Sequence, residues 1–141
     1  MIKPGITIEM LNAWGKGNMS EHLGIEITDV RPDVLTGRMP VDHRTKQPMG
    51  LLHGGASVVL AETLGSIAAH ASVDTDLYYC VGLEINANHI RSVREGFVYG
   101  TARPLHVGRK TQVWEVRISN DKQQLVCISR LTVAVIYKNQ A

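Results

Sequence analysis

The sequence has few cysteines, few aromatic side chains and no long apolar run, and each shortage excludes a class of protein. Cys80 and Cys127 are the only cysteines among 141 residues, without a Cys-x-x-Cys pair or a Cys/His spacing suited to zinc. We therefore expect both thiols to be free, and we expect no metal or other cofactor. No apolar run is long enough to span a bilayer, and the N-terminus lacks the apolar core of a signal peptide, so a cytoplasmic location is expected.

Charge is also sparse and nearly balanced. The formal net charge of +2 is too small to favour a nucleic-acid partner, and no membrane partner is expected either. The hydrophobic fraction of 44% and the charged fraction of 20% are ordinary values for a globular protein. At this length, residues 1–141 are expected to form a single domain with one core.

Apolar periodicity predicts the order of the secondary-structure elements. Residues 7–14 have helical spacing, with Thr7 as a suitable N-cap. Residues 23–30 and 35–41 alternate apolar and polar side chains around a proline-containing turn, which predicts a hairpin of two strands. A long apolar helix is predicted from the Gly54-Gly55 pair to His70, followed by four antiparallel strands. The sum is an α+β layer structure.

The long helix is apolar around almost its whole circumference, so we expect the rest of the chain to enclose it. In the first late strand the residues predicted to share the inward face are Tyr79, Val81, Leu83, Ile85, Ala87 and His89. In the second, Val98, Gly100 and Ala102 are small enough to let a helix lie close. A curved sheet wrapped around one helix has open edges, which favours pairing with a second subunit.

Glu62 is the one carboxylate in the middle of this apolar helix. A carboxylate there costs several kcal/mol unless it is paired, protonated or open to a cleft. It either faces solvent without a special role or serves a site. The second interpretation is favoured by Ser66, one turn later on the same face, and by the His53-Gly54-Gly55 entry to the helix, whose backbone N–H groups and dipole suit a developing oxyanion.

The spacing of these groups indicates a site shared between two chains. Gly55 and Glu62 are seven residues apart, roughly 10 Å along a helix. Attack on a carbonyl bound at Gly55 requires reacting atoms within about 3–3.5 Å, so Glu62 of the same chain is too distant. A dimer would solve the problem by supplying the helix start from one subunit and the carboxylate from the other.

Two groups of basic and polar residues lie at predicted strand ends. One comprises His89, Arg91, Ser92 and Arg94, and the other comprises His106, Gly108, Arg109 and Lys110. Such residues are either solvated turn residues or, on adjacent strand ends, a grip for the phosphates of a nucleotide-bearing ligand. No glycine-rich phosphate loop or nucleophile elbow is present in the sequence.

Four motifs together resemble the hotdog-fold acyl-CoA thioesterases of the 4-hydroxybenzoyl-CoA type. They are QPMGLLHGGAS at residues 47–57, AETLGS at 61–66, VGLEINANHIRS at 81–92 and PLHVG at 104–108. The resemblance implies the hotdog fold and hydrolysis of an aryl-CoA thioester, such as 1,4-dihydroxy-2-naphthoyl-CoA of menaquinone synthesis. It also implies a homodimer, paired further into a homotetramer.

The resemblance assigns roles to particular residues. Glu62 would be the nucleophile or general base, and Gln47, His53 and Gly55 would orient and polarise the thioester carbonyl. The residues expected to bind the acyl group and CoA are Ser66, Gly82, His89, Ile90, Arg91, Ser92, His106, Val107, Gly108, Arg109, Lys110 and Thr111. The alternatives are a proofreading aryl thioesterase of siderophore synthesis, a hotdog acyl-thioester dehydratase, and a non-catalytic acyl-CoA-binding module.

Overall fold

A computed structural model describes residues 1–138 of the chain. The helices are α1 (Ile8–Trp14), α2 (Met19–His22) and α3 (Gly54–His70). The strands are β1 (Glu26–Arg31), β2 (Val34–Pro40), β3 (Tyr78–His89), β4 (Phe97–Val107), β5 (Thr111–Asn120) and β6 (Leu125–Tyr137). The predicted order is confirmed, including the Thr7 cap, whose hydroxyl accepts the N–H of Met10 at 3.2 Å. Only α2 was missed, because a four-residue helix is too short to show periodicity.

The six strands form one antiparallel sheet in the order β1-β2-β4-β5-β6-β3, and α3 lies across one face of it. This is the predicted α+β arrangement. The core fills the space between that helix and the sheet, with Leu60, Leu64, Trp114, Val116 and Leu131 inaccessible to solvent. No helix within residues 1–138 is both long enough and apolar enough to cross a membrane.

Glycines allow α3 to lie very close to the sheet. A Cβ atom on Gly100 of β4 would overlap the Leu64 side chain, and one on Gly37 of β2 would lie 2.7 Å from it. From the helix side, a Cβ on Gly65 would lie 2.6 Å from Leu131 of β6. The predicted role of small residues on β4 is confirmed, since Val98 and Ala102 are fully buried on the same face.

The prediction that the chain encloses α3 on all sides is wrong. One face of the helix is buried against the sheet, whereas the face carrying Val58, Val59, Glu62, Ser66 and Ile67 is only half-buried. The sheet of one chain covers one side of the helix only. The apolar side chains on the other side are therefore available to a second surface.

The predicted inward face of β3 is wrong in its first half. The pairing of β3 with β6 shifts register between Gly82 and Glu84, so Leu83 is a bulge. A bulge adds one residue and reverses the alternation of side chains. Tyr79, Val81 and Leu83 therefore point away from the core and are 39%, 41% and 60% exposed. Ile85, Ala87 and His89 keep the predicted face, with the first two packed against the core.

The two edge strands of the sheet differ in whether another group satisfies their outer backbone N–H and C=O groups. At the β1 edge, the side chain of Asn12 accepts the N–H of Ile27 at 2.8 Å and donates to its carbonyl oxygen at 3.0 Å. That side chain therefore substitutes for a neighbouring strand. At the other edge, the twelve residues of β3 have β6 on one side and no strand of residues 1–138 on the other. An uncovered edge of this length is a template for pairing with another chain.

Candidate active site

Glu62 is half-buried on the outer side of α3, where the helix passes β3. Its Oε1 atom accepts a hydrogen bond from the Ser66 hydroxyl at 3.2 Å, one helical turn away. The carboxylate also lies directly over Gly82, because a Cβ on that glycine would be 2.5 Å from Oε1. Ser66 and Gly82 were both expected near the substrate, and the structure brings them to the carboxylate.

His53 and Gly55 form the N-terminal cap of α3. The Nδ1 atom of His53 accepts the backbone N–H of Gly55 at 2.8 Å, and both residues are exposed. An Nδ1 that accepts a hydrogen bond carries no proton, so in the neutral ring the proton is on Nε2. The N–H proposed from sequence as an oxyanion donor thus already has an acceptor within the chain.

Gln47 lies in the loop between β2 and α3. Its Oε1 atom accepts the N–H of Met49. The loop is held by backbone hydrogen bonds, from Gln47 N–H to Leu51 O and from His53 N–H to Thr45 O, both 2.8 Å. Because the side-chain oxygen is engaged inside the loop, the two N–H donors of the carboxamide are directed away from it.

A cavity of about 310 Å³ lies between this loop, the start of α3 and the end of β3. Of the residues expected to bind substrate or orient it, the cavity brings together Gln47, His89, Ile90, Arg91 and Ser92. The ring of His89 packs on the helix start, since a Cβ on Gly54 would lie 2.8 Å from its Nε2. The other lining residues are Leu51, Leu52, Gly54, Ser57 and Val126. Sequence reasoning missed Ser57 because the face on which it lies cannot be read from an all-apolar helix.

The two halves of the site are separate within one chain. Because α3 is continuous, Gly55 and Glu62 lie roughly 10 Å apart along its axis. On β3, Gly82 accompanies the carboxylate and His89 accompanies the helix start. The distance argued from sequence therefore persists in the folded chain.

The basic turn at residues 106–111 does not join this cavity in one chain. Thr111 pairs with Ala134 of β6, whereas His89 pairs with Cys127 of the same strand. Ala134 and Cys127 are seven residues apart on β6, which is roughly 23 Å along the strand. The expectation that the two basic groups occupy adjacent strand ends is wrong, since they lie at opposite ends of the sheet. Arg109 and Lys110 are exposed there, and Gly108 N–H donates to Thr111 O at 2.9 Å.

The cysteines do not offer a competing nucleophile. Cys80 lies on β3, two residues before Gly82, and burial raises the pKa of its thiol to about 11. Burial also raises the pKa of the Cys127 thiol. A thiol is a nucleophile as the thiolate, which is scarce at neutral pH for both residues. Across residues 1–138, His, Cys, Asp and Glu nowhere form a group of three that could hold a metal ion.

Residues 49–127 match the family model described as the thioesterase superfamily. The chain is 54% identical to the 1,4-dihydroxy-2-naphthoyl-CoA hydrolase of Escherichia coli over 134 residues, covering 95% of this chain and 98% of that protein. It is 50% identical to the proofreading thioesterase EntH of Cronobacter turicensis, covering 95% and 97%.

Solved structures give the same relationship. A glutamine-to-alanine variant of thioesterase PA1618 from Pseudomonas aeruginosa superposes with a TM-score of 0.94 at 52% identity, covering 96% of this chain and 97% of that one. Staphylococcus aureus thioesterase SAV0944, solved as a glutamine-to-alanine variant, has a TM-score of 0.81 at 41% identity, covering 83% and 97%. The sheet around one long helix is thus the hotdog fold of a thioester hydrolase. The chain belongs to the thioesterase superfamily.

The contact between Gly82 and Glu62 can be tested by adding one methyl group. Gly82→Ala places a Cβ against Oε1, so the carboxylate must move, and we expect kcat for thioester hydrolysis to fall by about 10- to 100-fold. Because Gly82 is exposed on an edge strand, the urea midpoint of unfolding should hardly change. Val81→Ala, on the opposite face of β3, is the control. An increase in KM with unchanged kcat would instead mean that Gly82 serves only to bind substrate.

Proposed function

We propose that the chain hydrolyses an aryl-CoA thioester, such as 1,4-dihydroxy-2-naphthoyl-CoA, to the free acid and CoA. The observation that carries the proposal is the Glu62 carboxylate, half-buried on an apolar helix between the Ser66 hydroxyl and Gly82. The identity to the Escherichia coli hydrolase, which acts on that ester by name, supports the aryl acyl group. Hydrolysis in menaquinone synthesis is the corresponding proposed role.

The substituted positions of a homologous protein support Gln47 and Glu62 as a pair. Two structures of the Staphylococcus aureus protein SAV0944 carry single alanine substitutions, one at a glutamine and one at a glutamate fifteen positions further along. Gln47 and Glu62 are separated by the same fifteen positions. We therefore assign these two residues to one catalytic site.

Glu62 is proposed to act in one of two ways. It attacks the thioester carbon as a nucleophile, or it removes a proton from a water molecule that attacks. In either case the C–S bond breaks and the electron pair leaves with the CoA sulfur as a thiolate. As a nucleophile, Glu62 forms a mixed anhydride, which water hydrolyses to the free acid and the restored carboxylate, and the proton released goes to the thiolate. As a base, Glu62 passes the proton taken from the attacking water to the thiolate. The Ser66 hydroxyl, which donates to Oε1, orients the carboxylate.

The carbonyl oxygen is proposed to be stabilised by side-chain donors and the start of α3. His53 and Gln47 each use an acceptor atom within their own segment, Nδ1 towards Gly55 and Oε1 towards Met49. Their N–H donors are thus free for an oxygen that gains negative charge. Gly55 contributes by fixing the imidazole and through the positive end of the helix dipole.

The site is proposed to be completed by pairing two chains along β3. That edge is uncovered, and it carries Gly82 beside the carboxylate and His89 beside the helix start. An antiparallel pair of β3 strands with its two-fold axis between these residues aligns Gly82 of one chain with His89 of the other. Glu62 of one subunit is then brought towards His53 and Gly55 of the other. A tetramer built from two such dimers, with residues 106–111 contributing from another chain, is part of the same proposal.

A second candidate is the proofreading hydrolysis of aryl thioesters in siderophore synthesis. The 50% identity to the Cronobacter turicensis thioesterase favours it as the alternative. The dehydratase and the non-catalytic binding module have no comparable support, because the homologues of the chain are named as thioesterases and hydrolases.

The acyl group can be identified from relative turnover. With the acyl part varied among 1,4-dihydroxy-2-naphthoyl-CoA, benzoyl-CoA and a medium-chain aliphatic CoA ester, we expect kcat/KM for thiol release to be highest for the naphthoyl ester. An aryl group loaded on a carrier protein tests the proofreading alternative in the same assay. Preference for the aliphatic ester would overturn the aryl assignment.

Glu62→Gln removes the charge while keeping the shape of the side chain. We expect kcat for thiol release to fall about 10²- to 10⁴-fold if the carboxylate is a general base, and further if it is the nucleophile. Binding of the intact ester, measured by calorimetry, should persist. Glu84→Gln, an exposed carboxylate two residues beyond Gly82 on β3, is the matched control and should behave as wild type. Near-normal turnover by Glu62→Gln would refute the assignment.

Mixing two inactive variants tests whether the site is shared. Glu62→Gln and Gln47→Ala chains are unfolded together in a 1:1 ratio and refolded. If Glu62 and Gln47 of one site come from different chains, half of the dimers are mixed and each regains one intact site, so about one quarter of wild-type activity should return. Each variant refolded alone provides the baseline. No recovery, with mixed dimers confirmed by mass spectrometry, would place both residues in the same chain.

A further inference from the structure

Ser57 is a buried residue whose hydroxyl the catalytic proposal does not use. It lies in the first turns of α3 and is 2% exposed. Its backbone N–H donates to His53 O at 3.3 Å, but its hydroxyl makes no hydrogen bond with any other residue of 1–138. Ser129, the other buried serine of residues 1–138, differs, since its hydroxyl donates to Asn86 O at 2.7 Å.

The surroundings of this hydroxyl explain how it can lack a protein partner. Ser57 lines the 310 Å³ cavity together with Gln47 and His89. Within residues 1–138 every buried side-chain nitrogen or oxygen has a hydrogen-bond partner, so the Ser57 oxygen, which has none, is open to the cavity and available to whatever occupies it. The start of α3 and the Ser57 hydroxyl thus both border this cavity.

The lining of the cavity indicates the chemistry of the occupant. Gln47, Ser57 and Ser92 supply neutral hydrogen-bonding groups, and Leu51, Leu52 and Val126 supply apolar walls. A single cation, Arg91, lies at the exposed rim beside Ile90, which is 55% exposed. Neutral polar groups between apolar walls suit an uncharged chain containing amide groups, and a cation at the mouth suits a phosphate.

The cavity lies beside the proposed position of the thioester carbonyl. Of the three residues proposed to hold the carbonyl, only Gln47 lines the cavity, and His53 and Gly55 lie outside its lining. A substrate that runs from a carbonyl at the start of α3 to a phosphate at Arg91 would have its intervening part in the cavity beside Ser57. This intervening part is the part of the substrate that leads away from the thioester.

We propose that the Ser57 hydroxyl is a substrate-binding group that hydrogen-bonds an amide of the chain linking the thioester to the nucleotide of CoA. This inference rests on the proposed acyl-CoA substrate. Ser57 holds the substrate in both the ground state and the transition state, so its hydroxyl contributes to affinity and not to the chemical step.

The test compares Ser57→Ala with Ser129→Ala. For Ser57→Ala we expect KM for benzoyl-CoA and the Kd for free CoA, measured by calorimetry, to rise together by about 3- to 10-fold, as the loss of one hydrogen bond predicts. Its kcat should stay within about twofold of wild type, because a bond made equally in both states does not alter the chemical step. Its urea midpoint should stay the same or rise, because no protein hydrogen bond is lost.

Ser129→Ala should show the reverse pattern, with a lower urea midpoint and unchanged KM and Kd. Unchanged KM and Kd for Ser57→Ala would overturn the proposal, and so would a fall in kcat at constant KM, which would place the hydroxyl at the reacting carbonyl. If the wild-type chain releases no thiol from benzoyl-CoA or the naphthoyl ester, the proposed function fails. The CoA affinities then still decide the role of Ser57.

Discussion

The close contact between α3 and the sheet is the constraint on which the other features depend. Gly37 and Gly100 on the strands make room for Leu64, and Gly65 on the helix makes room for Leu131. Side chains that fit this tightly allow the helix one depth and one rotation, because interiors pack as densely as crystals of small molecules. That rotation puts Glu62 on the half-buried side, where it meets Gly82 on β3.

A carboxylate at this edge of the sheet is neither enclosed nor fully surrounded by solvent. Full burial would require a paired cation or a proton, and full exposure would surround the oxygens with water. The edge position avoids both, since Ser66 supplies one hydrogen bond and Gly82 leaves space without a side chain. In the part of the chain that the structure describes, no strand lies beside this edge, whereas Asn12 closes the β1 edge. The pairing of two chains proposed above would cover the open edge and complete the site at the same time.

Element order was readable from the sequence because it follows from local pattern, whereas most of the candidate site residues were indicated by the resemblance of four motifs to a family. Strand alternation and the glycine pair before the helix are properties of neighbouring residues. The bulge at Leu83 was not readable, since it arises from the pairing of β3 with β6 and reverses the face of Tyr79 and Val81. Ser57 was missed for a related reason. On a helix apolar all round, only tertiary contacts decide which serine faces a cavity.

The start of α3 places N–H donors where, in the proposed reaction, a carbonyl oxygen gains negative charge. His53 and Gln47 satisfy their acceptor atoms within the chain, and both are left with N–H donors. Had the acceptors faced outward instead, a carbonyl oxygen would be repelled by lone pairs. An oxygen that gains charge during the reaction is stabilised by donors already in position, because no further reorganisation is needed. In the proposed mechanism Gly55, whose N–H holds the imidazole in that orientation, acts on the carbonyl largely through His53.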